Sequence, residues 1–150
     1  MKITIVGAGY VGLVTGACFA DAGHTVSCLD INQLKVDNLK KGILPIYEKK
    51  LQNLIQSNYE EKRLFFTTSY EQALKSVKII FIAVDTPAKK NGQTDLKSIK
   101  KVCTEVAKYL KPGMIIVEKS TVPVGTSDLI KDTIKKNLTK TKKNIKFHVV

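Results

Sequence analysis

Short runs of β-branched and aliphatic residues alternate with longer amphipathic stretches from one end of the chain to the other. That alternation marks βαβ units around a parallel sheet, because a chain that leaves one strand must cross back before it can add a parallel neighbour. Six runs read as strands: residues 2–6, 25–29, 64–67, 78–84, 114–118 and 145–150. The stretches KIIFIAV and MIIVE are apolar almost throughout, as expected of central strands covered by helices on both faces. Helical spacing of apolar positions covers residues 10–22, 32–41, 49–62, 69–75 and 95–110, and then runs from Thr126 or Ser127 to about Leu138. Ser69 with Gln72, and Asp95, have the character of helix starts, and Gly42 and the Lys-Pro-Gly at 111–113 that of stops. Two connections are longer than turns. One is the apolar loop at 42–48; the other is the polar loop at 85–94, which follows a central strand and so lies on the edge where open α/β sheets bind ligands.

Gly7, Gly9 and Gly12 form G-x-G-x-x-G between the first strand and the first helix, although glycine weakens a helix. The motif is common, but here it follows a β-branched strand, opens a helix and precedes a second strand that ends in Asp30, 18 residues after Gly12. Gly7 permits the tight turn, Gly9 lets a pyrophosphate approach bare backbone, and Gly12 lets helix and strand pack closely. The helix start offers free N–H groups and partial positive charge to the phosphates. Asp30 can accept hydrogen bonds from the adenosine ribose hydroxyls and repel a 2′-phosphate, which favours NAD over NADP. FAD proteins more often end the second strand in Glu, and S-adenosylmethionine enzymes use a looser glycine pattern. The expected architecture is a Rossmann-type doubly wound, six-stranded parallel sheet of order 3-2-1-4-5-6, filling residues 1–150 as one NAD-binding domain.

Composition narrows the functional classes. The 150 residues are 43% hydrophobic and contain no apolar run of the ~20 residues that span a bilayer, so no membrane role and a cytoplasmic location are expected. Cys18, Cys28 and Cys103 are far apart and have no metal-ligand spacing with His24 or His148; reduced, buried thiols and no metal site are expected. The net charge of +12 comes from lysines, with Arg63 the sole arginine. Scattered lysine suits a solvated surface more than base readout, so no specific nucleic-acid partner is expected. The densest basic run, residues 135–146, falls where the last helix ends and complements its dipole. The positive field favours anionic small molecules such as nucleotides.

Five stretches in order resemble the N-terminal domain of the UDP-glucose/GDP-mannose dehydrogenase family: GAGYVGLVTGACFADAGHTVSCLD, Lys35 within DINQLKV, LPIYE, VDTP and EKSTVPVGT. The resemblance spans essentially the whole chain, and GYVGLVTGACFA looks most like the UDP-glucose branch. It implies two successive NAD-dependent oxidations of a nucleotide sugar, with UDP-glucose to UDP-glucuronate expected, and a homodimeric full-length parent. GDP-mannose and UDP-N-acetyl-hexosamine dehydrogenases remain alternatives, as does a free-standing NAD-binding sensor. The resemblance also implies that Gly7, Gly9, Tyr10, Val11 and Gly12 lie against the pyrophosphate and that Asp30 and Lys35 hold the adenosine ribose. Thr86 would lie along the cofactor, and Thr121 near the nicotinamide, where its hydroxyl could position a catalytic water. Lys35 also reads as a solvated helix lysine, and Thr86 and Thr121 as caps at strand ends. The chain departs from the family at YEKKL, where YEPGL is usual, which leaves Glu48 without an assigned role. The family's catalytic cysteine, lysine, asparagine and aspartate lie downstream of the stretch matched here, so the chain is expected to be the cofactor part of a longer enzyme and inactive alone.

Overall fold

Strands buried on both faces need helices on both sides, and the chain supplies them in two groups. The computed structural model describes residues 1–46, 48, 50–139 and 144–150. Strands β1 (Lys2–Val6), β2 (Thr25–Leu29), β3 (Leu64–Thr67), β4 (Ile79–Ile82), β5 (Ile115–Glu118) and β6 (His148–Val149) pair in parallel in the order β3-β2-β1-β4-β5-β6. Helices α1 (Tyr10–Asp21), α2 (Gln33–Lys40), α3 (Leu51–Glu60), α4 (Tyr70–Leu74), α5 (Lys97–Tyr109) and α6 (Thr126–Asn137) connect them. This is the doubly wound Rossmann-type order read from the sequence. Winding reverses between β1 and β4, and that reversal opens a crevice at the carboxyl ends of those strands.

One apolar layer joins α1, α2 and α3 to Ile3, Ile5, Val26, Cys28, Leu64 and Phe66; the other joins α4, α5 and α6 to Val6, Ile80, Ile82 and Ile116. The inward face of α1 is built from Gly12, Leu13, Gly16, Ala17 and Ala20, so the helix axis can lie close to the sheet. Cys18 projects from the opposite side of that helix and is exposed, contrary to the buried thiol expected, whereas Cys28 and Cys103 are buried.

The element ends follow local hydrogen bonding. The Asn32 side chain accepts the Lys35 N–H and starts α2, and Ser69 Oγ accepts the Gln72 N–H and starts α4. The Gln72 side chain does not return to Ser69; it accepts from the Thr67 hydroxyl, so only half of a capping box forms. Asp95 Oδ1 accepts the Lys97 N–H, which puts the first residue of α5 at Lys97 rather than 95. The helix expected over 49–62 begins at Leu51, and Tyr47, Lys49 and the basic residues 140, 142 and 143 lie outside the described residues. β4 is shorter than expected, Ile79–Ile82; the Ala83 N–H still donates to Val6 O at 2.8 Å, and residues 83 and 84 then form a lip of the crevice. β6 is a two-residue edge strand, although Val150 N–H donating to Ile116 O at 2.9 Å and Gly113 N–H to Lys146 O at 2.9 Å prolong its contact with the chain around β5. Among the described residues, no helix is long and apolar enough to cross a membrane.

A β-carbon at Gly16 would lie 2.6 Å from Cys28 Sγ, inside a layer where Cys28 is fully buried. Alanine gains up to about 1 kcal/mol over glycine within a helix, but overpacking a core costs about 1–3 kcal/mol. Gly16→Ala is therefore expected to lower stability by about 1–2 kcal/mol in urea titrations. In combination with Cys28→Ala, which removes the obstructing sulfur, the two changes should cost less together than the sum of their separate effects. Strict additivity would show that α1 does not seat on β2 in this way.

Candidate dinucleotide site

The site begins with backbone. Gly7 adopts φ +106°, and its N–H donates to Leu29 O at 2.8 Å, tying the end of β1 to β2. A β-carbon at Gly7 would lie 2.3 Å from Ala83 O, and one at Gly12 would lie 1.8 Å from Gly7 O; neither obstacle is a side chain that could swing aside. Gly9 differs: it has ordinary extended backbone, and a β-carbon there would meet nothing within 4 Å. Its openness faces no packing need, so bare backbone at this point is available to a ligand. The first satisfied helical donor is the Leu13 N–H, bonded to Gly9 O at 2.9 Å. The N–H groups before it have no partner within α1, and the first turn carries no acidic residue and no side-chain cap. No residue of the helix itself neutralises its positive end, which suits a diphosphate.

Asp30 stands beside this turn at the end of β2. Its Oδ2 accepts the Ala8 N–H at 3.0 Å and the Lys35 ammonium at 2.7 Å, and its Oδ1 accepts the Asn32 N–H at 3.0 Å. The Asp30 side chain is only 10% exposed and that of Lys35 28%, so the pair is more than a solvated surface contact. Burial pushes the Asp30 carboxyl up, but the hydrogen bonds from Lys35, Asn32 and Ala8 outweigh it and hold the group below the ordinary carboxylate range. Three of its four acceptor sites are taken, and the one left, on Oδ1, is held in a fixed direction for a ribose hydroxyl.

A cleft of about 380 Å³ opens above Asp30. Of the residues singled out in the sequence, Gly7, Gly9, Asp30 and Lys35 line it, while Tyr10, Val11, Gly12, Thr86 and Thr121 stand outside its walls. The exposed Tyr10 side chain instead donates its hydroxyl to Glu48 Oε2 at 2.7 Å, linking the start of α1 to the 42–48 loop and giving Glu48 a partner that spacing did not suggest. Thr86 and Thr121 do meet: the Thr86 hydroxyl donates to Thr121 O at 2.8 Å, so one hydroxyl ties the loop after β4 to the loop after β5. This is a tie between two loops rather than a cap on the backbone that follows Thr86. Glu118 supports the same loop by accepting the Ser120 N–H at 2.6 Å, and burial pushes its carboxyl up.

Tyr70, Ser98, Lys101 and Ile31 also line the cleft and carried no signal in the sequence. Ser98 and Lys101 are three apart on the polar flank of α5, indistinguishable along the chain from solvated positions. Tyr70 arrives from α4 only because that helix tucks under the crossover; burial pushes its phenol up to about 12, so the hydroxyl stays protonated. No cluster able to hold a metal ion occurs among the described residues.

Comparison with known proteins agrees with this geometry. The family model described as the NAD binding domain of the UDP-glucose/GDP-mannose dehydrogenase family matches residues 1–150. The UDP-glucose 6-dehydrogenase YwqF of Bacillus subtilis is 48% identical over 138 residues, covering 92% of this chain and 31% of its own length. Among solved structures, GDP-mannose dehydrogenase of Pseudomonas aeruginosa superposes with a TM-score of 0.91 at 35% identity, over 99% of this chain and 35% of that one. UDP-glucose dehydrogenase of Pyrobaculum islandicum gives 0.89 at 32% identity, over 99% and 34%. The chain thus spans about a third of the length of the relatives it matches.

Two outcomes are expected of the site. Gly9→Ala should leave the melting temperature essentially unchanged while weakening NAD binding by about tenfold or more in calorimetric titration, because the added methyl meets no protein atom yet stands where backbone must approach the pyrophosphate. Unchanged affinity would place the diphosphate elsewhere. The second outcome concerns pH. A carboxyl depressed by folding stabilises the folded state above the ordinary carboxylate range, and that contribution disappears as pH falls through the folded value. Stability should therefore fall below about pH 4, less so in Asp30→Asn, and Lys35→Ala should move the Asp30 carboxyl titration upward in carbon-detected NMR. A titration indifferent to Lys35 would remove the ion pair from the account.

Proposed function

The chain belongs to the UDP-glucose/GDP-mannose dehydrogenase family as its NAD-binding domain, and from that premise we propose that it is the cofactor part of an enzyme that oxidises UDP-glucose to UDP-glucuronate in two NAD-dependent steps. The observation that carries this reading is the bare Gly7 to Gly12 turn beside a carboxylate already oriented by Lys35, Ala8 and Asn32. UDP-glucose is preferred as substrate because the chain is 48% identical to a UDP-glucose 6-dehydrogenase over most of its length.

NAD, when bound, supplies the hydride acceptor; the residues of this chain bind and orient it. The start of α1, with Gly9, Tyr10, Val11 and Gly12, would face the pyrophosphate, and Asp30 and Lys35 would hold the adenosine ribose. The cleft wall formed by Ile31, Tyr70, Ser98 and Lys101 would receive the adenine. Thr86 would fix the loop that carries Thr121, leaving the Thr121 side chain to face the nicotinamide end, where a hydroxyl can orient the water required by the second oxidation. The nucleophile and acid–base groups of the family lie beyond the matched stretch, so the 150 residues alone would bind NAD without turnover. A homodimeric, cytoplasmic parent belongs to the same reading.

A GDP-mannose substrate is the second reading, supported by the 0.91 TM-score to the Pseudomonas aeruginosa enzyme. The two are separated by assaying NADH formation by the longer enzyme carrying this chain with UDP-glucose, GDP-mannose and UDP-N-acetyl-hexosamine. UDP-glucose is expected to be oxidised fastest, with two NADH formed per sugar. Titration of the 150-residue chain should show NAD bound in preference to NADP and no turnover. Oxidation of UDP-glucose by the chain alone would overturn the division of labour proposed here.

A further inference from the structure

A parallel sheet gathers the amino ends of all its strands on one edge, here the edge opposite the cleft. Four of those ends are reached through a lysine: Lys2 begins β1, and Lys78, Lys111 and Lys146 come shortly before β4, β5 and β6. Backbone hydrogen bonds fix their order along the edge. Lys78 N–H donates to Lys2 O at 3.4 Å, Ile115 N–H to Lys78 O at 2.9 Å, and Gly113 N–H to Lys146 O at 2.9 Å. From β1 to β6 is three interstrand spacings, about 14 Å. Two helix ends widen the row: Lys75 follows α4 and shares the wall of a shallow concavity with Lys2, and Lys136 lies in the last turn of α6. All six lysines are exposed, and among the described residues none of them forms an ion pair. The acidic residues of this edge stand at its other end, where Asp21 closes α1, Glu60 closes α3, and Glu61 pairs with Arg63 ahead of β3. Helix dipoles account for Lys75 and Lys136, but strands carry almost no net dipole, so Lys2, Lys78 and Lys146 compensate nothing within the fold.

We propose that the amino edge of the sheet, from β1 to β6, is a docking face for an anionic lipid surface, with the cofactor cleft turned away toward solvent. Like charges this close repel one another, and an external layer of negative charge relieves them. A headgroup layer offers many separate, mobile anions, which ammonium point charges match without the planar fork of arginine. Nucleic acid calls for arginine and for rings on which bases stack. The sole arginine stands at the other end of the sheet beside Glu61, and no exposed Phe, Tyr or Trp lies among the six lysines. Met1, 65% exposed beside Lys2, is the apolar side chain placed to enter the headgroup layer. Contact of this kind is reversible and needs no spanning helix, so the lack of a long apolar run excludes a span and not this face. The six lysines are far apart along the chain, and only strand pairing brings them into line.

The test is flotation of the 150-residue chain, and of the longer enzyme that carries it, with vesicles of equal parts phosphatidylglycerol and phosphatidylcholine and with vesicles of phosphatidylcholine alone. Both proteins are expected to float with the anionic vesicles at about 0.15 M salt, to be released at about 1 M, and to ignore phosphatidylcholine alone. Each lysine removed from the face should weaken binding about fivefold, so Lys2→Gln, Lys78→Gln and Lys146→Gln together should weaken it about a hundredfold. The control combines Lys89→Gln, Lys97→Gln and Lys100→Gln, which removes the same charge from the loop after β4 and the start of α5 on the opposite edge, and it should bind as the unmodified chain does. Circular dichroism should show both triple variants folded. Four results would each overturn the proposal: no binding of anionic vesicles by either protein, binding that persists in about 1 M salt, an equal loss in the two triple variants, or displacement from the vesicles by polyuridylate or polyglutamate at equal charge. The third would reduce the effect to bulk charge, and the last would make the face a nucleic-acid or protein contact.

Discussion

Where β1, β4 and α1 meet, there is no room for a β-carbon. The carbonyl of Ala83 would lie 2.3 Å from one at Gly7, and the carbonyl of Gly7 would lie 1.8 Å from one at Gly12. This backbone-on-backbone contact sits at the point where sheet winding reverses, so it sets how far the two halves of the sheet open and where the start of α1 points. The small residues along the inner face of α1 extend the same constraint down the helix, and the cleft above Asp30 follows from it. Gly9 stands apart as the one glycine of the motif without a neighbour to avoid, which separates the requirement of folding from that of the ligand.

Around that frame the electrostatics is local. A net charge of +12 gives the molecule a broad positive field, yet the site depends on a single compensated pair whose carboxylate is held by two main-chain donors as well as an ammonium. Bulk charge brings anions near; the oriented donors decide which of them fits. The loops after β4 and β5 are knitted separately, by the Thr86 hydroxyl, by Glu118 and by the Ser120 hydroxyl donating to Ile82 O at 3.4 Å, so the two ends of the crevice are organised by different chemistry.

Much of this was legible along the chain because the relevant signals are local. Continuous β-branched runs located the strands, and three of them, β1, β2 and β3, have the predicted ends. The glycine spacing and Asp30 located the turn and the acid opposite it. What could not be read lies in contacts made only after the chain folds. Tyr70, Ser98 and Lys101 enter the cleft from helices whose sequences say only that one face is apolar. The Tyr10 to Glu48 hydrogen bond joins residues 38 apart and has no periodicity to betray it. Cys18 was misplaced because composition favours buried thiols in general, whereas the phase of α1, set by Gly12, Gly16 and Ala20, turns that position to solvent. β6 was overextended because an apolar run does not reveal that its strand has a neighbour on one side alone.

The bond from the Thr86 hydroxyl to Thr121 O makes the two loops beyond β4 and β5 share a single loss of conformational freedom. A ligand that orders one of them lowers the entropy still to be lost by the other, so whatever binds second binds to a partly settled surface. Two ligands that each touched one of these loops would be coupled through that bond without any displacement of the sheet beneath them.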